Sequence, residues 1–532
     1  MTKYDLDILG YKYKGVASVP NREVKLGPWT IIDVPKDVDD AVAMKEVSNV
    51  LERICAFELP TSLECNLRCQ YCYIGDPRMK SIKVTVDQVT KILDNLKEMF
   101  PVFQDGYKKK NGKDEVFFSP WGAEPFVNID TMDAIRLWAK ENVKQKFSIH
   151  TSTNGTIWNK KVEQFFIDMF NDKCMPDLQI SLDGPPHIQN KFRPFVNGKG
   201  SFKAVENFVT SYVKLHKDMN LTGRNHHFCS TIHLKDPAFA DNWADAAMFF
   251  SEPNKWWTTL PYLPMRVSGE DMANENDIRK FVDAQKRVLE VITKRNSQGI
   301  TVVDNYTNLL FGTYQIRSKN AFPYCSALST QIAVDIDGSI YPCHGGITSP
   351  EFKPFLWFGN LFDKTISYRL LKRNLNYQFG GWTNVKCNDC PVYKYATGSA
   401  CHSCAPHNLA VTGEPTTDNI LKCMAFGESF KYWVEIAKKN IEGNPILDTI
   451  PHGEYFSCDK DITIEAPNKI KFKVPEGCHF DINYDGRICK GTNILGLNVP
   501  EDTKYIDTWW KFDDFYQTTL KDKQGENKNE KS

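Results

Sequence analysis

Cys65-Asn66-Leu67-Arg68-Cys69-Gln70-Tyr71-Cys72 sets three thiols at x3 and x2 spacing within eight residues. Three thiolates on so short a loop can hold three corners of an iron–sulfur cube. Soft thiolate ligands select iron–sulfur, zinc or copper(I), and a four-iron cluster takes four ligands. One iron is then left open to something that is not protein. A structural zinc site would draw its fourth ligand from nearby, yet no Cys or His follows until His150.

The spacing, with the aromatic Tyr71 before the last thiol, resembles the signature of the radical S-adenosylmethionine (SAM) superfamily. The resemblance implies a four-iron cluster on Cys65, Cys69 and Cys72 whose open iron chelates SAM, and a 5′-deoxyadenosyl radical that abstracts hydrogen from substrate. More of the family's pattern follows in order. Gly122-Ala123-Glu124-Pro125 is similar to the Gly-Gly-Glu-Pro motif, in which carbonyl and carboxylate oxygens can accept from the SAM ammonium. Ser152-Thr153-Asn154-Gly155 resembles the run that ends the family's third strand, and Ser181-Leu182-Asp183-Gly184 ends a fourth. By resemblance Tyr71, Gly122, Ala123, Glu124, Ser152, Asn154, Ser181 and Arg193 are candidate SAM contacts. Arg193 could instead serve a structural ion pair, since its fork suits any carboxylate.

From Cys55 the chain alternates apolar runs with helical periods, the rhythm of a parallel sheet with helical crossovers. Strands are expected at 56–60, 115–119, 147–152, 178–182, 228–232 and 258–263. The clearest helix is 86–100, where Val89, Ile92, Leu93, Leu96, Met99 and Phe100 share a face and Thr85 with Gln88 makes a capping box. Other amphipathic stretches are 131–143, 160–170, 204–216, 243–250 and 278–296. The expected fold class is α/β: a partial (β/α)6 radical SAM barrel, then a small cysteine-rich domain and a C-terminal β extension. The boundaries drawn are a 1–50 N-terminal extension with little clear period, a 51–305 barrel, a 306–435 cluster domain, a 436–520 β-rich extension and a polar, disordered 521–532 tail. In the extension Ile462/Ile464, Ile470/Phe472/Val474 and Phe480/Ile482 alternate, and Asp485-Gly486, like Asp337-Gly338 earlier in the chain, supplies a hairpin turn.

A second set of cysteines begins at Cys325. Gly338 and Cys343 follow, then Cys387-x2-Cys390, Cys401-x2-Cys404 and Cys423. This resembles the SPASM domain of radical SAM peptide and protein maturases, which carries auxiliary four-iron clusters. The block from Cys387 to Cys404 departs from the family spacing, so the ligand assignment stays open, and Cys-x2-Cys-x10-Cys-x2-Cys alone would suit zinc. With seven thiols, the resemblance implies two auxiliary clusters and three [4Fe-4S] clusters in all. His344, next to Cys343, is a candidate acid/base toward substrate or a neighbour that bonds the cluster. Cys458, Cys478 and Cys489 match no metal pattern, and Cys55, Cys174 and Cys229 read as core.

Composition sets the remaining bounds. The 532-residue chain has 66 Lys+Arg against 66 Asp+Glu, so no global field favours nucleic acid or an acidic membrane. No apolar run approaches the ~18 residues of a spanning helix, and no secretory segment opens the chain. Sixteen cysteines without such a segment argue for a reducing compartment, hence the cytoplasm. The expected function is a radical SAM maturase acting on a peptide or protein by crosslinking, epimerisation or oxidation. The alternatives are a small-molecule radical SAM dehydrogenase and a non-catalytic Fe–S or zinc scaffold, which would have no need of the Gly-Ala-Glu-Pro loop. Expected partners are the peptide or protein substrate, an electron donor such as flavodoxin or ferredoxin, and a separate leader-peptide-binding protein.

Overall fold

The computed structural model describes residues 22–375, apart from 73–82, 105–106, 108–114, 175, 222–225, 260–261, 269–273, 301, 305–315, 318–325 and 349–352, together with short strands between 453 and 505. Five parallel strands carry the centre: β3 (Ala56–Ser62), β4 (Glu115–Gly122), β5 (Lys146–Thr153), β6 (Pro176–Ser181) and β7 (His226–His233). Between them run α2 (Val86–Met99), α3 (Ile129–Asn142), α4 (Lys160–Asn171), α5 (Pro186–Phe192) and α6 (Phe202–Asp218). Residues alternate between the two faces of each strand. Phe57, Leu59, Val116, Phe118, Ile149, Leu178 and Ile180 pack under the helices in the main core. The intervening positions, among them Glu58, His150, Ser152, Asp177 and Ser181, fall on the opposite, inner face. The capping box at Thr85 and Gln88 forms as the sequence predicts, and α2 buries Val89, Ile92, Leu93, Leu96 and Met99. Cys55 and Cys174 lie in the main core, and Cys229 is buried.

The sixth barrel strand differs from the expected 258–263. After α7 (Phe239–Phe250), Tyr262–Leu263 (β8) pairs instead with Val303–Asp304 (β10), beyond α8 (Glu275–Ser297). The strand that pairs with β7 is Met265–Ser268 (β9). Pro264 has no N–H to give to a ladder, but its carbonyl accepts from Ser230 N at 2.9 Å, so pairing with β7 begins there. Thr258 belongs to the preceding turn, its hydroxyl donating to Glu252 O at 2.5 Å.

The N-terminal residues also differ from expectation. Arg22–Leu26 (β1) and Trp29–Val34 (β2) form an antiparallel hairpin, followed by α1 (Asp40–Leu51) with Asp39 as N-cap. Only two short strands and one helix are involved, too little chain for a clear period. Trp29 is almost wholly buried and its indole N–H donates to Met99 O at 2.9 Å, so the hairpin is fastened to the end of α2.

After the short strand Ile316–Arg317 (β11), the hairpin β12 (Gln331–Val334) and β13 (Ser339–Tyr341) turns at Asp337-Gly338, where Gly338 takes φ 83°, as the Asp-Gly pair predicts. β12 lies parallel to β3, with Ala333 opposite Glu58. Two further strands, β14 (Gly359–Asn360) and β15 (Thr365–Ser367), carry the sheet outward to β2. The result is one 12-stranded sheet, in the order β1-β2-β15-β14-β13-β12-β3-β4-β5-β6-β7-β9. Ion pairs and hydrogen bonds tie its outer part to the N-terminal segment: Tyr368 and Lys372 bond Glu46, and Ser367 bonds Asp33. In the C-terminal region, strands Ile462–Glu465, Lys471–Val474 and His479–Asn483 fall among the expected alternating positions, and Gly453–Ser457 is a further strand. Asp485-Gly486 and the tail lie outside the described residues. Among the described residues no helix is long and apolar enough to cross a membrane.

Candidate active site

The cysteine loop leaves the C-terminal end of β3 and is pinned on two sides. On one side its backbone runs against the segment after α5: Arg68 N donates to Pro194 O at 2.8 Å, Gln70 N to Phe192 O at 3.0 Å, and Val196 N to Asn66 O at 3.1 Å. On the other side it meets the end of β5. The Asn154 amide donates to Asn66 Oδ1 at 2.8 Å and reaches the Cys65 sulfur at 3.6 Å, while Asn66 donates to Thr156 Oγ1 at 2.8 Å. Asn154 Oδ1 in turn accepts from Thr156 N. The Thr-Asn-Gly run thus clamps the loop through side chains, and the amide of Asn154 is used on protein groups.

Glu124 shows the same economy. Its carboxylate is fully buried, accepting from the Thr153 hydroxyl at 2.8 Å, Phe126 N at 3.1 Å and Asn154 N at 2.6 Å. Burial pushes its pKa up to about 7 against those hydrogen bonds, which lower it. It is a strut between the loop after β4 and the end of β5. Gly122 is required by a close approach: a Cβ there would lie 1.8 Å from the Ser62 carbonyl oxygen. Ala123 N donates to that same oxygen at 2.8 Å, which sets the backbone of the Gly-Ala-Glu-Pro turn beside the cysteine loop.

A buried polar group backs the loop from behind. Asp183, wholly buried, takes Arg193 Nε at 2.9 Å on Oδ1, where Thr231 N also donates at 3.0 Å. The Tyr71 hydroxyl donates to Asp183 Oδ2. Arg193 Nη1 points toward the Cys69 sulfur at 3.8 Å, and its guanidinium lies 5.3 Å from the centre of the Tyr71 ring. Arg193 and Tyr71 therefore join Asp183 behind the sulfur ligands. Ser152 is exposed on the inner face, where its hydroxyl accepts from Gln179 at 3.0 Å. Ser181 closes β6 on the same face and is half-buried. Asp183 is a buried anchor of Arg193 and Tyr71 that sequence reasoning passed over, although it sits in the quoted Ser181–Gly184 run.

The three thiols suit the iron–sulfur cluster. Burial pushes the Cys65 thiol up to about 12 and the Cys69 thiol to about 11, so each holds its proton until a metal displaces it. N–H donors from Leu67 (3.3 Å) and Asn154 face Cys65, and Arg193 faces Cys69, as charged cluster sulfurs require. Among the described residues no group of three His, Cys, Asp or Glu side chains converges on a single ion.

Of the auxiliary set, Cys343 is described and half-buried. Cys325, Cys387, Cys390, Cys401, Cys404 and Cys423 lie outside the described residues, as do Cys458, Cys478 and Cys489. Beside Cys343, His344 meets a carboxylate that the sequence reading missed. Glu58, on the inner face of β3, accepts from His344 Nδ1 at 2.8 Å on Oε1 and from His344 N at 2.5 Å on Oε2. Burial disfavours the imidazolium, but the charge and hydrogen bond of Glu58 outweigh it and hold His344 above its ordinary pKa. The Trp121 ring lies 6.0 Å from the imidazole at 30°. The available signal was a lone carboxylate in the otherwise uncharged run 56–60.

Fold and loop together place three thiols, with hydrogen-bond donors beside two of them, at the C-terminal end of a parallel sheet. Residues 59–224 match the Radical SAM superfamily. The chain is 25% identical over 403 residues to a cysteine-type anaerobic sulfatase-maturating enzyme of Clostridium novyi, covering 72% of this chain and 94% of that one. A Clostridium perfringens enzyme of the same description is 22% identical over 397 residues, 71% of this chain and 94% of that one. The fold is similar to native anSMEcpe with bound AdoMet (TM-score 0.52, 18% identity, 73% of this chain and 99% of the other). It is likewise similar to that protein with bound AdoMet and the Cp18Cys peptide (TM-score 0.51, 17% identity, 73% and 99%).

Proposed function

We propose that this radical SAM enzyme matures a peptide or protein substrate, with oxidation of a Cys or Ser side chain as the leading outcome and crosslinking or epimerisation as the others. The similarity to sulfatase-maturating enzymes supports the substrate class. The observation that carries the chemistry is the Glu58–His344 pair. Glu58 sits on the inner face of the same strand that delivers the cysteine loop, so the carboxylate partner of the acid/base group and the radical source share one scaffold element.

Cys65, Cys69 and Cys72 would hold the SAM-cleaving cluster, which when bound supplies the electron that splits SAM into methionine and a hydrogen-abstracting 5′-deoxyadenosyl radical. Around it Asn154 and Arg193 orient Cys65 and Cys69. The Gly122–Ala123 turn would offer backbone oxygens to the SAM ammonium, and Ser152 and Ser181 would offer hydroxyls from the inner face. His344 accepts a proton released as the substrate is oxidised. Cys343, with Cys325, Cys387, Cys390, Cys401, Cys404 and Cys423, would hold two auxiliary four-iron clusters of a SPASM-type domain. A flavodoxin or ferredoxin supplies electrons, and a separate leader-binding protein could present the substrate in the cytoplasm.

Anaerobically reconstituted enzyme with SAM, reductant and synthetic peptides bearing one central Cys or Ser tests the reading by mass spectrometry. Peptide modification in step with 5′-deoxyadenosine is the expected result. Removing a positioned acid/base costs about 10²–10⁴-fold, so His344→Ala should form 5′-deoxyadenosine largely uncoupled from product. Peptides left unmodified by the wild type while 5′-deoxyadenosine accumulates would sink the substrate class. Unchanged coupling in His344→Ala would remove that residue's role.

A further inference from the structure

We infer that the outer surface of the cysteine loop, joined to residues 191–203, is the docking face for an acidic flavodoxin-type electron carrier. The inference rests on the radical SAM reading of the loop and names where its reductant binds; it does not depend on the peptide substrate. The two segments form one platform. Leu67 and Phe195 pair in an antiparallel bridge, and the backbone N–H groups of Arg68, Gln70 and Val196 donate across the seam. The Gln70 side chain adds a bond to Lys191 O at 2.9 Å. Of the three thiols Cys72 is exposed, whereas Cys65 and Cys69 are half-buried. This is the side on which the thiol set reaches the surface.

The platform is basic in a chain whose charges cancel overall. Between Asp183 and Glu206 the sequence carries Lys191, Arg193, Lys199 and Lys203 but no Asp or Glu, and Arg68 is the one charged residue of the loop 65–72. Three of these cations are answered within the protein: Arg193 by Asp183, Lys191 by buried Asp236, and Lys203 by Glu206. Glu64, just before the loop, is itself paired with Lys83 at 3.5 Å. Two cations are left over. Arg68 is exposed and its guanidinium bonds the carbonyls of Cys65 and Leu67, which cancel no charge. Lys199 is exposed, and among the described residues no carboxylate pairs with its ammonium. Phe195 N donates to Lys199 O at 2.8 Å and Gly198 takes φ 80°, so a tight turn holds Val196 close to Lys199. Val196 is 58% exposed, more than any other large apolar side chain among the described residues. An apolar group beside unpaired cations suits a flavodoxin, whose flavin shows its apolar dimethylbenzene edge in a surface rich in carboxylates. Opposite charge speeds the encounter and orients the partners, while the contact itself stays small, as in other electron-transfer encounters. The exchange balances: the carrier's reduced flavin gives up one electron, the cluster takes it, and no atom or proton crosses.

Calorimetric titration of oxidised flavodoxin into the reconstituted enzyme, at low and high salt, reads binding apart from activity. Lys199→Glu turns an attraction into a repulsion. An exposed charge contact is worth about 1.4- to 5-fold, so Kd should rise about 2- to 30-fold at low salt. It should converge with wild type at about 1 M salt, where the screening length is about 3 Å. Val196→Ser loses apolar surface and no charge, so binding should weaken about 4-fold or more at either salt, roughly the worth of one buried methylene. Lys25→Glu, exposed on β1 at the far edge of the sheet, makes the same change of net charge elsewhere and should bind like wild type. 5′-Deoxyadenosine formation without peptide, driven by reduced flavodoxin or by dithionite, gives the second readout. In Lys199→Glu the flavodoxin-driven rate at subsaturating carrier should fall by the same factor as binding. The dithionite-driven rate should stay at wild type, which shows that the variant folds and holds its cluster. If Lys199→Glu loses iron, Val196→Ser carries the test. Equal flavodoxin affinity in wild type, Lys199→Glu and Val196→Ser overturns the inference, as does an equal loss in Lys25→Glu. Reduction by a ferredoxin with none by flavodoxin overturns it too. A wild type that cleaves no SAM with dithionite removes the radical SAM reading itself, and the inference with it.

Discussion

Replacing Glu124 by Gln examines how the loop beside the cysteines is held. In the wild type one oxygen serves Thr153 and Phe126 and the other serves Asn154 N, all from a wholly buried position. A Gln oxygen can serve only one side, and its NH2 then faces a donor. Leaving a buried N–H unpaired costs about 1–3 kcal/mol. The pH dependence adds a second, independent magnitude. Burial raises the carboxyl from 4.5 to about 7. Because the folded pKa lies above the unfolded one, this group's stabilisation is complete below about pH 4.5 and lost as pH rises to about 7. At about 1.36 kcal/mol per unit, the wild type loses roughly 3 kcal/mol across that window, whereas Gln has nothing to titrate. The stability gap between the two proteins should therefore be widest at about pH 4.5 and narrow by roughly that amount at pH 8. Urea unfolding of anaerobic samples at both pH values, compared by midpoints and slopes, measures it. A gap constant to within about 1 kcal/mol would refute the reasoning and show that the three donors keep Glu124 ionised like an ordinary carboxylate.

Exchanging Cys65, Cys69 and Cys72 together for Ala should remove about four irons and abolish reductive SAM cleavage; full cleavage would contradict the ligand assignment. Iron and sulfide analysis with Mössbauer spectroscopy should find about twelve irons in the reconstituted wild type, and four irons with one zinc would move the second cysteine set to a zinc site. Arg193→Met leaves Asp183 buried without its cation, so a loss of about 3–5 kcal/mol is expected, accompanied by weaker iron retention at Cys69. Measured stability and iron content equal to wild type would show that Thr231 N–H and the Tyr71 hydroxyl suffice for Asp183.

Local chemistry made much of this protein readable in one dimension. The thiol spacing, the capping box at Thr85 and Gln88, the Asp337-Gly338 turn and five strands of the parallel sheet depend on neighbours a few residues apart, and they formed where expected. The ends of strands did not follow the same logic, because Pro264 moved the sixth strand to Met265–Ser268. That shift reflects which backbone N–H groups can join a ladder beside β7. The hairpin at Arg22–Val34 was hidden for a related reason. Its burial comes from Met99 and from strand Thr365–Ser367, more than 300 residues later for the latter.

The residue types of the site were set by sequence, but their assignments required the fold. Asn154, Glu124 and Arg193 are all polar groups in motif-like runs, and nothing local distinguishes a ligand contact from a strut. In the tertiary structure each meets a protein partner: Asn66, Thr153 and Asp183. Glu58 and His344 are 286 positions apart, and no periodicity connects them. They meet because β12 pairs in parallel with β3 and the chain turns back at Gly338, a long-range pairing selected by packing of the whole sheet.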